Sequence, residues 1–131
     1  MTKPALLPAD IDTVARAVVD CASRVHQQLG PGLLESVYKV CLAHELGKAG
    51  LKFDRQLALP VVYDGLRLEA GLRLDLLVEN ILVVELKAVE QLLPVHQAQV
   101  LTYLKLSSKR LGLLINFNTP LFKDGIRRLA L

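Results

Sequence analysis

Three charged residues near the middle of the chain have the types and spacing that metal-assisted hydrolysis requires. Glu85 and Lys87 follow the apolar run at 81–84, and positions i and i+2 of a strand project to the same face. A tight turn near residues 79 and 80 would set Asp75, on the preceding strand, opposite Glu85. Two facing carboxylates repel each other, by a few tenths to ~1 kcal/mol. The pattern therefore indicates either a local ion pair at a strand end or one half of a site.

Carboxylates and a lysine in this arrangement suit one kind of chemistry. Carboxylate oxygens are the hard ligands that Mg²⁺ prefers, and Mg²⁺ usually keeps several waters. A neighbouring lysine can orient or activate a water, or stabilise negative charge that develops on a phosphate. An Asp followed by Glu-x-Lys on the next strand therefore predicts metal-assisted hydrolysis of a phosphodiester. The pattern alone is not specific, because D…ExK occurs by chance in many chains.

Two helical segments carry further candidates. In the second helix, Glu35, Tyr38 and Leu42 follow the i, i+3, i+7 spacing and share a side. Glu35 is either an exposed residue paired with Lys39 at i+4, or a third metal ligand or orienting residue that reaches the strands from the helix. The sequence leaves both interpretations open.

The third helix places three polar side chains on one face. Gln99 and Tyr103 are four residues apart, and His96 lies one turn earlier. They form either an ordinary helix surface with a partly buried tyrosine or a set of polar contacts to a nucleic-acid backbone near the metal.

The surrounding elements predict an α/β fold. An apolar stripe from Ile11 to Leu29 indicates a first helix, with Asp10 as its cap, and a second helix runs from about Leu33 to Lys48. Three strands follow, joined by turns at 64–65 and 79–80, and the apolar run of the third suits a central strand. In the second strand, alternation predicts one inward face, formed by Leu68, Ala70, Leu72, Leu74 and Leu76. A helix after Pro94 and two more strands complete the order ααβββαββ, a mixed sheet carrying helices.

The bulk composition is that of a globular protein. The chain has 131 residues, of which 52% are apolar and 22% charged, and we expect a single domain over 1–131. No apolar run approaches the ~18 residues of a membrane span. The N-terminal "MTKPALLPADIDTV" lacks the apolar stretch of an export signal, so we expect a cytoplasmic protein without membrane association. A net charge of +3 is compatible with a nucleic-acid partner.

The motifs together resemble a known family. "GLLESVY", followed by Asp75, "ELK" and "HQAQVLTYLKL…LGLLINF", looks like the GxxExxY family over about residues 14–131. That family is placed in the PD-(D/E)XK nuclease superfamily, alongside restriction enzymes, Holliday-junction resolvases and repair exonucleases. The resemblance implies a restriction-endonuclease-like fold, in which helices flank a mixed β-sheet and the active residues lie on its central hairpin.

The resemblance also implies roles for individual residues. Asp75 and Glu85 would hold the metal, Lys87 would be the catalytic lysine, and Glu35 matches an acid that many members supply from the helix before the sheet. The "PD" of the superfamily is here Leu74-Asp75, without its proline.

Residues of the substrate site follow from the same comparison. Gln99 and Tyr103 match the QxxxY element of the exonuclease-like branch, and we assign Tyr38 and His96 to substrate binding as well. In the resulting hypothesis, Glu35, Asp75, Glu85 and the main-chain carbonyl of Leu86 surround Mg²⁺, with Mn²⁺ as a substitute. The protein would then be a nuclease acting on DNA in preference to RNA.

Two other interpretations remain open from the sequence. The fold could hold nucleic acid or a partner protein without cutting, or the charged residues could form surface ion pairs, each worth ~0–1 kcal/mol. A homodimer is considered too, with "LGLLINF" or the C-terminal "RRLAL" as the edge that a second copy would use.

Overall fold

The predicted order of elements is found in the structure, a computed structural model that describes residues 8–131 and their side chains from residue 10 onward. The expectation about an export signal concerns chiefly residues 1–7, which lie outside the described residues. The elements are α1 (Pro8–Leu29), α2 (Glu35–Lys48), β1 (Phe53–Tyr63), β2 (Leu66–Val78), β3 (Leu82–Lys87), α3 (Pro94–Ser107), β4 (Leu111–Asn116), a 3₁₀ turn (Phe122–Gly125) and β5 (Ile126–Ala130).

The first helix uses its predicted apolar stripe to cover the sheet. Val18, Ala22 and Val25 are buried in the core cluster that α1 and α2 share with one face of the sheet. The helix begins at Pro8, so Asp10 lies in its first turn, and its prediction as the cap is wrong. None of the helices in the described part of the chain is both long and apolar enough to cross a membrane.

Both predicted turns are present, the first with two residues between paired strand ends and the second with three, at 79–81. Asp64 and Gly65 have φ of 50° and 79°, and Glu79 and Asn80 have φ of 52° and 60°. Left-handed backbone at both central positions is the geometry that matches the right-handed twist of an antiparallel hairpin. The second turn pairs Leu76 with Val84, which is the register predicted from the sequence.

The sheet is mixed, and β3 lies at its centre. The strand order is β1-β2-β3-β4-β5, with β3 and β4 parallel and the other neighbours antiparallel. Val84 packs in the cluster with α1 and α2, and Val83 packs in the cluster with α3, so β3 is covered on both faces. The α/β, restriction-endonuclease-like fold class is confirmed. Because β4 is paired on both sides, "LGLLINF" cannot be a free edge, whereas β5 has no second neighbour among residues 8–131.

The distal end of β2 is exposed over residues 66–71. Leu68 and Ala70 are exposed instead of facing the core. The β1–β2 ladder is irregular there, since it pairs Leu59 with Leu72 but Val61 with Leu68, and this shift of two residues keeps Leu68 on the same face as Leu72. Ala70 has φ of 55° in this stretch, so the extra residues of β2 bulge away from β1.

The alternation along β2 breaks beside Asp75. Leu74 packs on the α3 side of the sheet, whereas Leu76 packs on the side of α1 and α2. On the facing strand, Gln56 has φ of 49° between the pairs that flank this point. The strand therefore changes face at Asp75, where the site is built.

Candidate active site

The centre of the site is the point at which β2 and β3 separate. Their ladder ends at the pair Leu76 and Val84, and beyond it each strand binds a carboxylate of the other. The Asp75 N–H donates to Glu85 Oε1 at 3.0 Å, and the Leu86 N–H donates to Asp75 Oδ2 at 2.9 Å. We call Asp75, Glu85 and Leu86 the fork. Asp75 lies opposite Glu85, as the turn position predicts.

Glu85 is the most constrained acid of the fork. It is 4% exposed, and it lies on the α3 side of the sheet, since Val84 and Leu86 pack on the other side. Burial, followed by the neighbouring Asp75 carboxylate, raises the pKa of Glu85 to about 8, although Lys87 acts in the opposite direction. Without a further cation, the fork therefore favours a protonated Glu85 at neutral pH.

A lysine of α2 joins Glu35 to the fork. Lys39 Nζ lies 2.9 Å from Glu35 Oε2 and 3.0 Å from Asp75 Oδ1. Glu35 therefore forms the predicted i+4 pair with Lys39, and it also faces the fork, with the ammonium between the two carboxylates. Among the described residues, no three acidic, histidine or cysteine side chains are grouped closely enough to hold a metal. Direct contact of Glu35 with the fork is thus absent in this structure.

Lys87 lies beside the fork without a fixed partner. Within the described part of the chain it makes no ion pair, in contrast to Lys39. It lines a groove of about 390 Å³ between the end of β3 and α3, together with Val95, His96, Ala98, Gln99 and Thr102. Its ammonium is therefore available to a molecule that enters this groove.

The predicted polar face of α3 is turned toward the fork. Gln99 Nε2 donates to the Tyr103 hydroxyl at 3.0 Å. Burial, followed by the carboxylates of Glu85 and Asp75, raises the pKa of Tyr103, although its bond to Gln99 lowers it. His96 lines the groove, but its Nδ1 accepts from the Leu93 N–H at 2.9 Å and so caps the start of α3.

Tyr38 has a structural role instead of the predicted substrate contact. Its side chain is fully buried and stacks on Phe117, with ring centroids 4.6 Å apart. Its hydroxyl donates to the Gly30 carbonyl at 2.6 Å and accepts from the Leu33 N–H at 3.1 Å. No surface of Tyr38 remains for a substrate, so the prediction is corrected: Tyr38 holds the loop that leads into Glu35.

Asn116 supports the site and was not singled out from the sequence. It is 1% exposed and lies beside Lys87 in the β3–β4 register. Its side chain accepts from the Val89 N–H at 3.0 Å and donates to the Val89 carbonyl at 2.9 Å, so it fixes the chain just after β3. The feature of the sequence that could have indicated this role is an amide residue at the end of an otherwise apolar strand.

Comparisons with known proteins identify the superfamily of this chain. A search of curated proteins found no match. Among solved structures, one described as "Crystal structure of SSO0001" is similar with a TM-score of 0.50 and 20% sequence identity, which supports the fold alone. The alignment covers 86% of this chain and 64% of that one, so the chain spans less than two thirds of that protein. A sequence model of the PD-(D/E)XK nuclease superfamily matches residues 12–129, which include the fork, Lys87 and the face of α3. The chain belongs to the PD-(D/E)XK nuclease superfamily.

Proposed function

We propose that this chain is a Mg²⁺-dependent nuclease that hydrolyses phosphodiester bonds, with DNA favoured over RNA. The fork carries the proposal, because it sets Asp75 and Glu85 together at a strand end. Beside them, Lys87 makes no ion pair with any described residue and lines a groove. Superfamily nucleases generally use divalent metal ions and act on nucleic acid. DNA is favoured because the motifs resemble those of restriction and repair enzymes.

The residues of the fork fit a divalent cation. Asp75 and Glu85 would supply carboxylate oxygens, and Leu86, whose N–H binds Asp75, would add its main-chain carbonyl. This is a hard donor set of the kind that Mg²⁺ takes. Mn²⁺ suits the same ligands. The raised pKa of Glu85 supports the fit, since a cation at the fork would offset the charge of the two acids. A bound metal would polarise a phosphoryl oxygen and acidify a water.

The chain's own residues would position the reacting groups. Lys87 would orient the attacking water and stabilise the negative charge that develops at phosphorus. Gln99, Tyr103 and His96 would hold the sugar-phosphate backbone in the groove along α3. Glu35 would act through Lys39 or as a further ligand once that lysine has moved.

The proposal extends to the family of the chain and to its oligomeric state. We assign the chain to the GxxExxY family as a single nuclease-like domain, on the motifs quoted from the sequence. We also propose that a homodimer embraces a duplex, since β5 lies at an edge of the sheet formed by the described residues and could pair with a second copy.

A binding module that does not cut is the alternative. It is favoured by the Lys39 ammonium at Asp75 and by the absence of a three-ligand group within residues 10–131. Such a protein would retain nucleic acid in the groove without hydrolysis.

Cleavage of a substrate panel separates the two functions. We expect at least one single- or double-stranded DNA to be cut with Mg²⁺ or Mn²⁺, and no cutting in excess chelator, because two acids and a lysine without a metal supply too little stabilisation of the phosphoryl charge. RNA of the same sequences is the comparison for substrate class. Binding of nucleic acid without cutting in either metal would support the alternative, and cutting in chelator would contradict the metal.

A further inference from the structure

The ion pair at the fork differs from the other lysine pair of α2. Lys39 has a side chain only 22% exposed and contacts two acids, Glu35 at 2.9 Å and Asp75 at 3.0 Å. Lys48 is 64% exposed and contacts Glu45 alone, at 3.3 Å. Among the described residues, Lys39 is the one cation within ion-pair distance of Glu35 or Asp75. The site is thus built with a cation from its own chain.

This ammonium is held as a charge. Partial burial lowers the pKa of Lys39, but its bonds to Glu35 and Asp75 outweigh that effect, and the pKa lies above its ordinary value. Asp75 is fully engaged, since Oδ1 contacts Lys39 and Oδ2 accepts the Leu86 N–H. A divalent ion that approached Asp75 would meet a positive charge at close range, where repulsion is strong.

Lys39 can keep one of its two ion-pair partners when it leaves the other. Glu35 is the more exposed of its two partners, with 38% of its side chain accessible against 12% for Asp75. The spacing of four residues on one helix lets Lys39 keep this pair when it leaves Asp75. The ion pair with Asp75 can therefore open without leaving the ammonium unpaired.

We propose that Lys39 is a tethered counter-cation, which competes with the divalent metal for Asp75 and so sets the metal concentration at which the site fills. The inference rests on the proposed function, because it concerns the same metal. Lys39 acts as a positioning residue: it neutralises and orients Asp75 in the metal-free protein and turns to Glu35 alone when the metal is bound.

Mn²⁺ binding to the full chain, measured by calorimetry, tests this competition. Lys39→Met keeps the unbranched apolar stem of the lysine side chain and removes its charge. We expect this variant to bind Mn²⁺ about tenfold more tightly than the wild type, because a nearby like charge has been lost. Lys39→Arg keeps the charge and should not bind more tightly than the wild type. Lys48→Met removes an exposed lysine of the same helix and should leave the affinity unchanged.

Thermal unfolding with and without metal distinguishes this role of Lys39 from a merely structural one. Lys39→Met should lower the stability of the metal-free protein, because Asp75 loses its partner, and saturating Mn²⁺ should abolish this deficit by linkage. A structural residue would cost the same stability with and without metal.

The outcomes separate this inference from the proposed function. Tighter binding by Lys39→Met alone supports the competition, even if the wild type binds too weakly to detect. Equal or weaker binding by Lys39→Met overturns it while leaving the metal site intact, and so does an equal gain by Lys48→Met, which would reveal a general charge effect. Absence of Mn²⁺ binding in every variant overturns both the inference and the metal-dependent function.

Discussion

Replacing Lys87 with alanine is expected to abolish cleavage while leaving the protein folded and able to bind metal. The lysine lines the groove beside the fork and has no ion-pair partner among the described residues, so its loss removes little stability. It does remove the group that would orient the water and stabilise charge at phosphorus, an effect worth ~10²–10⁴-fold in rate. Single-turnover cleavage of the best substrate, with a melting curve for each protein, measures both.

Lys105→Ala is the matched control for Lys87→Ala. Lys105 is exposed in the last turn of α3, so this change removes the same charge from the surface without altering the groove lining. We expect the control to cut at close to the wild-type rate. Cleavage that survives in Lys87→Ala as well as in Lys105→Ala would exclude Lys87 as a catalytic residue.

Replacing Glu85 with glutamine is expected to abolish cleavage and to stabilise the metal-free protein at pH 8. The pKa of Glu85 is about 8 in the folded protein and ordinary, near 4.5, in the unfolded chain. Between these values the folded state holds one more proton, so stability falls as pH rises through the window, with a slope of up to ~1.4 kcal/mol per pH unit. Glutamine has no charge to bury and removes this slope.

Urea unfolding from pH 5 to pH 8 in chelator measures the slope. Glu90→Gln is the control, because Glu90 is exposed just after β3, and it should keep the wild-type pH dependence. A residue that costs stability without metal and is required for cleavage with metal is what a ligand at a functional site predicts. An unchanged slope in Glu85→Gln, or full cleavage by that variant, would contradict the assignment.

The hairpin that carries the fork could be predicted because its determinants are local. A tight turn between Val78 and Leu82 fixes the register, and the register alone places Asp75 opposite Glu85. The apolar run before Glu85 likewise identifies a strand that is covered on both faces. Helix spacing sufficed to put Gln99 and Tyr103 on one face.

The features that escaped prediction depend on packing between distant elements. The change of face at Asp75 is accompanied by left-handed backbone at Gln56 on the facing strand. Glutamine rarely adopts this conformation, so nothing in the sequence predicts it there. The contact of Lys39 with Asp75 depends on how α2 packs on the hairpin, which helix periodicity does not reveal. The role of Tyr38 depends on its hydroxyl reaching two main-chain groups of the preceding loop.

Mn²⁺ or Mg²⁺ calorimetry on the wild type and Asp75→Asn, with cleavage assayed in parallel, tests the central claim most directly. Asparagine keeps the shape of the side chain and an oxygen for the Leu86 N–H, but it loses the charge that a metal and Lys39 both require. We predict metal binding and cleavage by the wild type and neither by Asp75→Asn. If neither the wild type nor Lys39→Met binds metal at millimolar concentration and the wild type cuts nothing, or if Asp75→Asn binds as tightly as the wild type, the fork is not a metal site.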